Sequence, residues 1–252
     1  MPTRRDVLSA MLLAPGALLV PRSWSQPPAL EDGGAQVIQL DYPPFADLDR
    51  VQEQGLRNPD GQQIDKAREI VDQTPHGPHA IDIAQSFVDR FAKADPEAIA
   101  QWPLPAAWNP LVVEFFHATS YKANNDMIAW CAAFANWCIT RAGGTGSNRA
   151  SSQSFLADKC FKRTNEPDVG DLVVFTCYDK AGRNTGLGHV AFVREKPAEG
   201  HVRLVGGNQS ADGHSSIISE KTLPTTPFVV KRHIGTKYVA CTMRINAYMT
   251  YV

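Results

Sequence analysis

The sequence lacks several features that mark common classes of protein. Its 252 residues carry 25 basic and 26 acidic side chains, and this formal charge of −1 gives no reason to expect a nucleic-acid surface. After the first 25 residues, no apolar run reaches the roughly 20 residues that a membrane-spanning helix needs. Cysteine is absent before residue 131, and none of the five cysteines forms the C-x-x-C pair typical of zinc sites. We therefore expect a globular protein that needs no metal.

The first 25 residues have the pattern of an export signal. Arg4 and Arg5 precede a short apolar run over residues 7–20, and small residues then offer a cleavage site before Gln26. Paired arginines are typical of the twin-arginine route, so we predict a periplasmic or secreted protein. Removal of residues 1–25 would leave 22 basic and 25 acidic side chains, a net charge of −3. The alternatives are a general secretory signal and an uncleaved anchor.

Two regions of different pattern follow the signal. Residues 26–104 predict a Pro-rich arm and a helical extension, with apolar residues at helical spacing around Ile64 and Ile81. Residues 105–252 predict one domain, whose pattern changes from helix to strand at Asp171. Helices first and strands afterwards predict an α+β fold, with helices packed on an antiparallel sheet. The predicted strands are 171–178, 189–195, 201–207, 215–219, 228–233 and 237–245.

One apolar helix, predicted from Met127 to Arg141, contains two cysteines. Cys131 and Cys138 share a face of this helix but lie about 10.5 Å apart along its axis. A disulfide needs Cα atoms within about 7 Å, so an intact helix keeps these cysteines unbridged. Cys131 is then either a small buried side chain or a nucleophile. In the second case, the free N–H groups at the helix start would favour its thiolate.

A thiolate nucleophile needs a base, and the base needs a group that orients it. His189 follows Gly188 at the start of a predicted strand, and we expect it to share the helix-covered face of the sheet with Ala191 and Val193. The next strand ends in two glycines and Asn208, whose amide oxygen could hold the His189 ring if it lies on that face. Taken singly, His189 is also an ordinary strand end and Asn208 an ordinary turn residue.

Four short motifs occur in a fixed order: WCAAF (130–134), PDVGDLVVF (167–175), GHVAFV (188–193) and LVGGNQ (204–209). Together they resemble the NlpC/CHAP group of cysteine amidohydrolases and peptidases, and in particular its bacterial branch with Trp-Cys and Gly-Gly-Asn-Gln motifs. The resemblance covers about residues 105–220. It implies a papain-like α+β fold in which the nucleophile begins a helix that packs on the sheet.

The resemblance also implies a reaction, the hydrolysis of amide bonds, most often in peptidoglycan peptides and without a metal or organic cofactor. Cys131 matches the nucleophile, His189 the general base and Asn208 the orienting residue, with the adjacent Gln209 as an alternative. Two other functions remain open: the same site acting on another amide or acyl substrate, and a catalytically silent module that binds the cell wall. We predict at most one disulfide among the four other cysteines, which are Cys138, Cys160, Cys177 and Cys241.

Overall fold

The computed structural model describes residues 37–39, 57–102, 107–210, 216–234 and 237–251. The export signal predicted for residues 1–25 lies outside this part of the chain. Within it, no helix is long and apolar enough to cross a membrane.

Local capping explains where two of the helices begin. Asp60 and Gln63 form a reciprocal capping box at the first helix, and the Asn109 side chain accepts a hydrogen bond from the Leu111 N–H at the third. The α-helices are α1 (Gly61–Asp72), α2 (Ala80–Phe91), α3 (Pro110–Phe115) and α4 (Cys131–Arg141). Three short 3-10 helices span Pro96–Ile99, Phe116–Ala118 and Ser152–Leu156.

The strands form one sheet in the order β1-β7-β8-β3-β4-β5-β6, with β2 paired to β8. All of its pairs are antiparallel except β1–β7, which is parallel. The strands are β1 (Val37–Gln39), β2 (Phe161–Thr164), β3 (Leu172–Tyr178), β4 (Asn184–Ala198), β5 (His201–Ser210), β6 (Ser216–Pro224), β7 (Phe228–Ile234) and β8 (Lys237–Tyr251). This arrangement confirms the predicted α+β class with helices on an antiparallel sheet.

Both faces of the sheet are buried, each in its own apolar core. On the first face, Val190 and Phe192 of β4 pack with all four α-helices, so helices α1 and α2 of the predicted extension share a core with α4. On the second face, residues of β3 to β8 pack against one another, among them Ala191, Leu204 and Val230. Strands from both halves of the sheet contribute to this second core.

The predicted helix over 127–141 begins later than expected, at Cys131. Polar side chains hold the preceding residues in a loop. The Asn125 side chain accepts a hydrogen bond from the Met127 N–H at 2.9 Å, and the Asp126 carboxylate accepts backbone bonds from Trp102 and Asn109. Such side-chain to backbone bonds compete with helical ones. The delayed start makes Cys131 the first residue of the helix.

Candidate active site

Cys131 lies where the backbone of α4 begins, directly after Trp130, whose side chain makes no capping hydrogen bond. The Cys131 side chain is only 4% exposed, and Trp130 and Phe134 beside it are fully buried. The backbone N–H groups of Val190 on β4 and of Ala132 on its own helix lie close enough to the Cys131 sulfur to influence the pKa of the thiol. The first turn of α4 therefore packs against β4.

The surroundings of Cys131 have opposing effects on the pKa of its thiol. Burial raises the pKa of the Cys131 thiol, and this is the largest influence on it. The Val190 N–H, the positive charge of Arg232 and the Ala132 N–H lower that pKa, but they do not compensate for burial. The thiolate expected from the helix start is thus not the favoured form while the site is closed. The same N–H groups would stabilise it once water or substrate reaches the sulfur.

His189 lies on β4 across from Phe175 of β3, and the two ring centroids are 6.4 Å apart. The expectation that His189 shares the helix-covered face of the sheet with Ala191 and Val193 is wrong. Ala191 and Val193 pack in the second core rather than under the helices, because Val190 and Phe192 occupy the helix-covered face. Strand alternation places His189 on the same face as Ala191. Cys131 and His189 therefore approach adjacent positions of β4 from the two faces of the sheet.

The His189 imidazole is 1% exposed, and its surroundings keep it neutral. Burial, together with the smaller influence of the positive charges of Arg232 and Lys221, lowers the pKa of His189 to about 3. A neutral imidazole has the proton-accepting nitrogen that a general base requires. Its basicity in the closed site is weak, however, and would increase with solvation.

The pairing of β4 with β5 explains the position of Asn208. Their register pairs Phe192 with Val205, and its continuation would bring Asn208 opposite His189. The regular pairing stops there, because β5 carries an irregularity between Gly206 and Gln209, and Asn208 has a positive φ of 59°. The Asn208 side chain is buried, and neither of its polar atoms has a hydrogen-bond partner among the described residues. The predicted bond from Asn208 to the His189 ring is not formed in this conformation.

Gln209, the alternative orienting residue, has a different set of contacts. Its Nε2 atom donates to the carbonyl oxygens of Gly206 at 2.9 Å and Ser219 at 2.7 Å. Its Oε1 atom has no hydrogen-bond partner within the described part of the chain. Nε2 lies beside the open side of Gly206, which also faces Ala191. Gln209 thus closes the irregular turn of β5 on the face of the sheet that carries His189.

The two glycines of the LVGGNQ motif have separate steric roles. A Cβ on Gly207 would collide with the Trp130 ring and lie 2.8 Å from the Cβ of Phe134. A Cβ on Gly206 would lie 2.8 Å from the Cβ of Ala191. Gly207 therefore lets the start of α4 approach β5, while Gly206 serves close packing on the opposite face.

Comparison with known proteins identifies the segment that carries these residues. Residues 122–208 match the CHAP domain family. This segment of the chain is therefore similar to CHAP domains. This match confirms the NlpC/CHAP-type relationship predicted from the four motifs, and the matched segment includes Cys131, His189 and Asn208. CHAP domains are generally hydrolytic and act as amidases or peptidases. No curated protein and no solved structure is significantly similar to the chain.

Gln153 is a residue of this segment that the sequence analysis did not single out. Its Nε2 atom donates to the Phe175 carbonyl at 2.9 Å, and its Oε1 atom accepts from the Thr176 hydroxyl at 2.6 Å. A Cβ on Gly188 would collide with both Gln153 Nε2 and the Phe175 carbonyl oxygen. Gln153 thereby bonds to β3 and lies against Gly188, the residue just before His189. The only sequence signal was Gly188, since a glycine in a strand often marks a close approach.

Asp126 is a second residue that the sequence analysis missed, and it positions the loop before Cys131. One oxygen of its carboxylate accepts hydrogen bonds from the Trp102 N–H at 3.0 Å and the Asn109 N–H at 2.8 Å. Burial raises the pKa of Asp126 to about 6, although these bonds oppose the shift. The carboxylate thus ties the entry of α4 to the segment that precedes α3.

Arg232 of β7 is a third missed residue, a cation that is only 3% exposed. Its Nη1 atom lies 3.4 Å from the sulfur of Cys177. Its charge lowers the pKa of both Cys131 and His189, which places it close enough to influence the candidate site. The described part of this CHAP-like segment contains no cluster of three or more His, Cys, Asp or Glu side chains that could hold a metal ion.

Proposed function

We propose that the chain is an exported cysteine hydrolase that cleaves amide bonds in peptidoglycan peptides, with Cys131 as nucleophile and His189 as general base. One observation carries this proposal. Within the segment that matches the CHAP family, the first residue of α4 places its sulfur near the backbone N–H of Val190, the residue next to His189. A nucleophile needs N–H groups close to its sulfur, and this contact also brings Cys131 to the strand that carries the candidate base.

The reaction follows from these groups. Because the two side chains approach β4 from opposite faces, opening of the site must first bring the His189 ring to the Cys131 thiol. His189 then takes the proton from this thiol, and the sulfur attacks the carbonyl carbon of the amide. Backbone N–H groups at the start of α4 stabilise the negative oxygen that forms. His189 then gives its proton to the leaving amine, which departs and leaves a thioester on Cys131. Water, deprotonated by His189, hydrolyses the thioester and restores the thiol.

The burial of Cys131 and His189 adds a condition to this mechanism. Their side chains are 4% and 1% exposed, so a peptide can reach the sulfur only when the site opens. Opening would bring water to the imidazole and raise its pKa from about 3 toward the ordinary value of 6.5. It would also remove the desolvation that keeps the Cys131 thiol protonated. Substrate binding and activation of the pair are therefore coupled in this proposal.

Release of new amines from purified peptidoglycan tests the proposal. The wild-type protein is expected to release amines with time, and Cys131→Ala is expected to release none. Cys138→Ala is the matched control, because Cys138 is a buried cysteine on the same helix but lies away from its start. The released fragments, identified by mass spectrometry, show which bond is cut.

The burial of the Cys131–His189 pair also favours a second candidate, a catalytically silent module that binds the cell wall. Such a module would sediment with insoluble peptidoglycan, release no amines and be unaffected by Cys131→Ala. An enzyme acting on another amide or acyl substrate would neither sediment nor release amines, yet its Cys131 would react with acylating probes. Sedimentation, amine release and probe labelling together separate the three functions.

A further inference from the structure

A second pair of cysteines lies in the sheet, away from the candidate active site. Cys177 is on β3 and Cys241 on β8, two neighbouring antiparallel strands. The register pairs Cys177 with Met243, so Cys241 lies two residues further along β8 and on the same face as Met243. Both cysteines are buried in the second core. The Cys241 thiol lies close enough to the Cys177 sulfur to influence its pKa.

Arg232 makes this pair chemically unequal. The guanidinium donates a hydrogen bond to the Cys177 sulfur at 3.4 Å. The Cys241 thiol and the neighbouring guanidinium lower the pKa of Cys177 to about 6, against the effect of burial. The same arrangement raises the pKa of Cys241, which keeps its proton. Cys177 is thus the attacking thiolate, and Cys241 is the resolving thiol.

We propose that Cys177 and Cys241 form a dithiol pair that closes to a disulfide linking β3 to β8. The oxidant is a disulfide, either a small one such as oxidised glutathione or the disulfide of an exchange protein. The Cys177 thiolate attacks one of its sulfurs and releases the other as a thiol, which gives a mixed disulfide. Cys241 then loses its proton, attacks the Cys177 sulfur and releases the second thiol. Two electrons and two protons thereby pass from the pair to the oxidant.

The remaining cysteines are separated from this pair by the sheet. Cys131 and Cys138 belong to the core on the helix-covered face, and Cys160 packs against that same core. Cys177 and Cys241 lie on the opposite face. A disulfide between the two sets would require a backbone rearrangement, because bridged Cα atoms must lie within about 7 Å. Cys177 and Cys241 therefore bridge most readily with each other, and as diagonal neighbours with Cα atoms roughly 7–8 Å apart they need only a small shift of the backbone.

The guanidinium also influences how stable the bridge is. Arg232 stabilises the Cys177 thiolate, a form that exists only in the reduced protein. This interaction favours reduction, so the bridge should be reduced by glutathione more readily than an ordinary structural disulfide. Because both sulfurs are buried, oxidation occurs during folding or when the second core opens locally.

Alkylation of unreduced protein tests the proposal, and its outcome does not depend on the proposed hydrolase activity. The full chain is incubated with glutathione at rising ratios of oxidised to reduced form, both folded and during refolding from guanidinium. It is then unfolded with iodoacetamide and without reductant. Of the five cysteines, three are expected to be alkylated, and the peptides of Cys177 and Cys241 are expected to be linked. Before alkylation, the linked protein should be two hydrogens lighter than the fully reduced protein.

Single variants provide the controls. Cys160→Ala removes a thiol outside the pair and should leave the bridge in place. Cys177→Ala and Cys241→Ala should each lose the bridge and leave the partner alkylated or joined to glutathione. Should either variant fail to fold, the peptide map of the wild-type chain still decides. Five alkylated cysteines after refolding in oxidised glutathione alone, or a bridge between any other pair, would overturn the proposal.

Discussion

The backbone N–H of Val190, the residue that follows His189 on β4, lies close enough to the Cys131 sulfur to lower the pKa of its thiol. This contact places the start of α4 against the strand that carries the candidate base, although the two are far apart in sequence. It depends on close packing between α4 and the sheet. Gly207 is the residue that permits this packing, since it lies against Trp130 and Phe134.

Replacement of Gly207 should therefore destabilise the protein and disturb the site. A Cβ at this position would collide with the Trp130 ring, so Gly207→Ala is expected to lower the free energy of unfolding by about 1–3 kcal/mol. Gly61→Ala is the matched control, because a Cβ there meets no atom within 4 Å. Urea denaturation of both variants measures the difference. Equal stability of the two variants would show that α4 does not pack on β5 as described.

Much of the fold could be predicted from local patterns, whereas the face on which His189 lies could not. The alternation in β4 indicates correctly that His189, Ala191 and Val193 share a face. Alternation does not show which face the helices cover when both faces are apolar. Here Val190 and Phe192 are as hydrophobic as Ala191 and Val193, so the sequence contains no signal for the choice.

The start of α4 and the contacts of Gln153 also exceeded what local patterns can predict. The apolar periodicity over 127–141 favours a longer helix, but Asp126 bonds to the distant Trp102 and Asn109 and so prevents the first turn. The contact of Gln153 with the Phe175 carbonyl is equally remote in sequence. Contacts of this kind depend on the assembled fold. The only sequence signal for any of them was Gly188, which indicated the close approach of Gln153.

The buried His189 predicts a loss of stability in acid. Its pKa is about 3 in the folded protein and 6.5 when unperturbed, so the unfolded chain binds a proton first as the pH falls. The contribution of His189 to stability is therefore fully present above pH 6.5 and is lost progressively toward pH 3. The maximum slope is about 1.4 kcal/mol per pH unit.

The difference between wild type and His189→Gln isolates this contribution. Asp126 acts in the opposite direction, because its pKa is raised from 3.8 to about 6 and its protonation in acid stabilises the fold. Both proteins share that effect, so it cancels in the comparison. Chemical denaturation across the acidic range should show a steeper loss for wild type than for His189→Gln. Parallel curves would mean that the imidazole is not buried in a neutral form.

Export is predicted to depend on Arg4 and Arg5. A dedicated translocon reads paired arginines, so replacing both with Lys should leave the uncleaved precursor in the cytoplasm. Fractionation of cells that produce each form, followed by immunoblotting, measures the distribution. Arg22→Lys is a suitable control, because it changes an arginine of the leader outside the pair. Normal export of the double variant would contradict the twin-arginine assignment.

Cys131 and His189 are predicted to act as a unit. Cys131→Ala should abolish amide hydrolysis, and His189→Ala should lower its rate by about 10²–10⁴-fold. The double variant should be no worse than Cys131→Ala, because the losses of a nucleophile and its base do not add. Initial rates of amine release from peptidoglycan fragments measure all three.

Alkylation provides a second measurement on the same pair. Cys131 should react with iodoacetamide faster than Cys138, because burial raises the pKa of Cys138 well above its usual value and its side chain is fully buried. His189→Ala should remove that advantage. Wild-type hydrolysis by Cys131→Ala would show that the nucleophile lies elsewhere.

Asn208 permits a test that separates an orienting role from a backbone role. Its φ of 59° is a left-handed conformation, which glycine adopts freely and alanine adopts at a cost of roughly 1–2 kcal/mol. Asn208→Gly should therefore be more stable than Asn208→Ala in urea denaturation.

If the amide orients His189 in the open site, both variants lose activity equally, and by less than His189→Ala. Recovery of full activity by Asn208→Gly alone would show that only the turn matters. The role of orienting His189 would then pass to Gln209, whose Oε1 atom lacks a hydrogen-bond partner among the described residues.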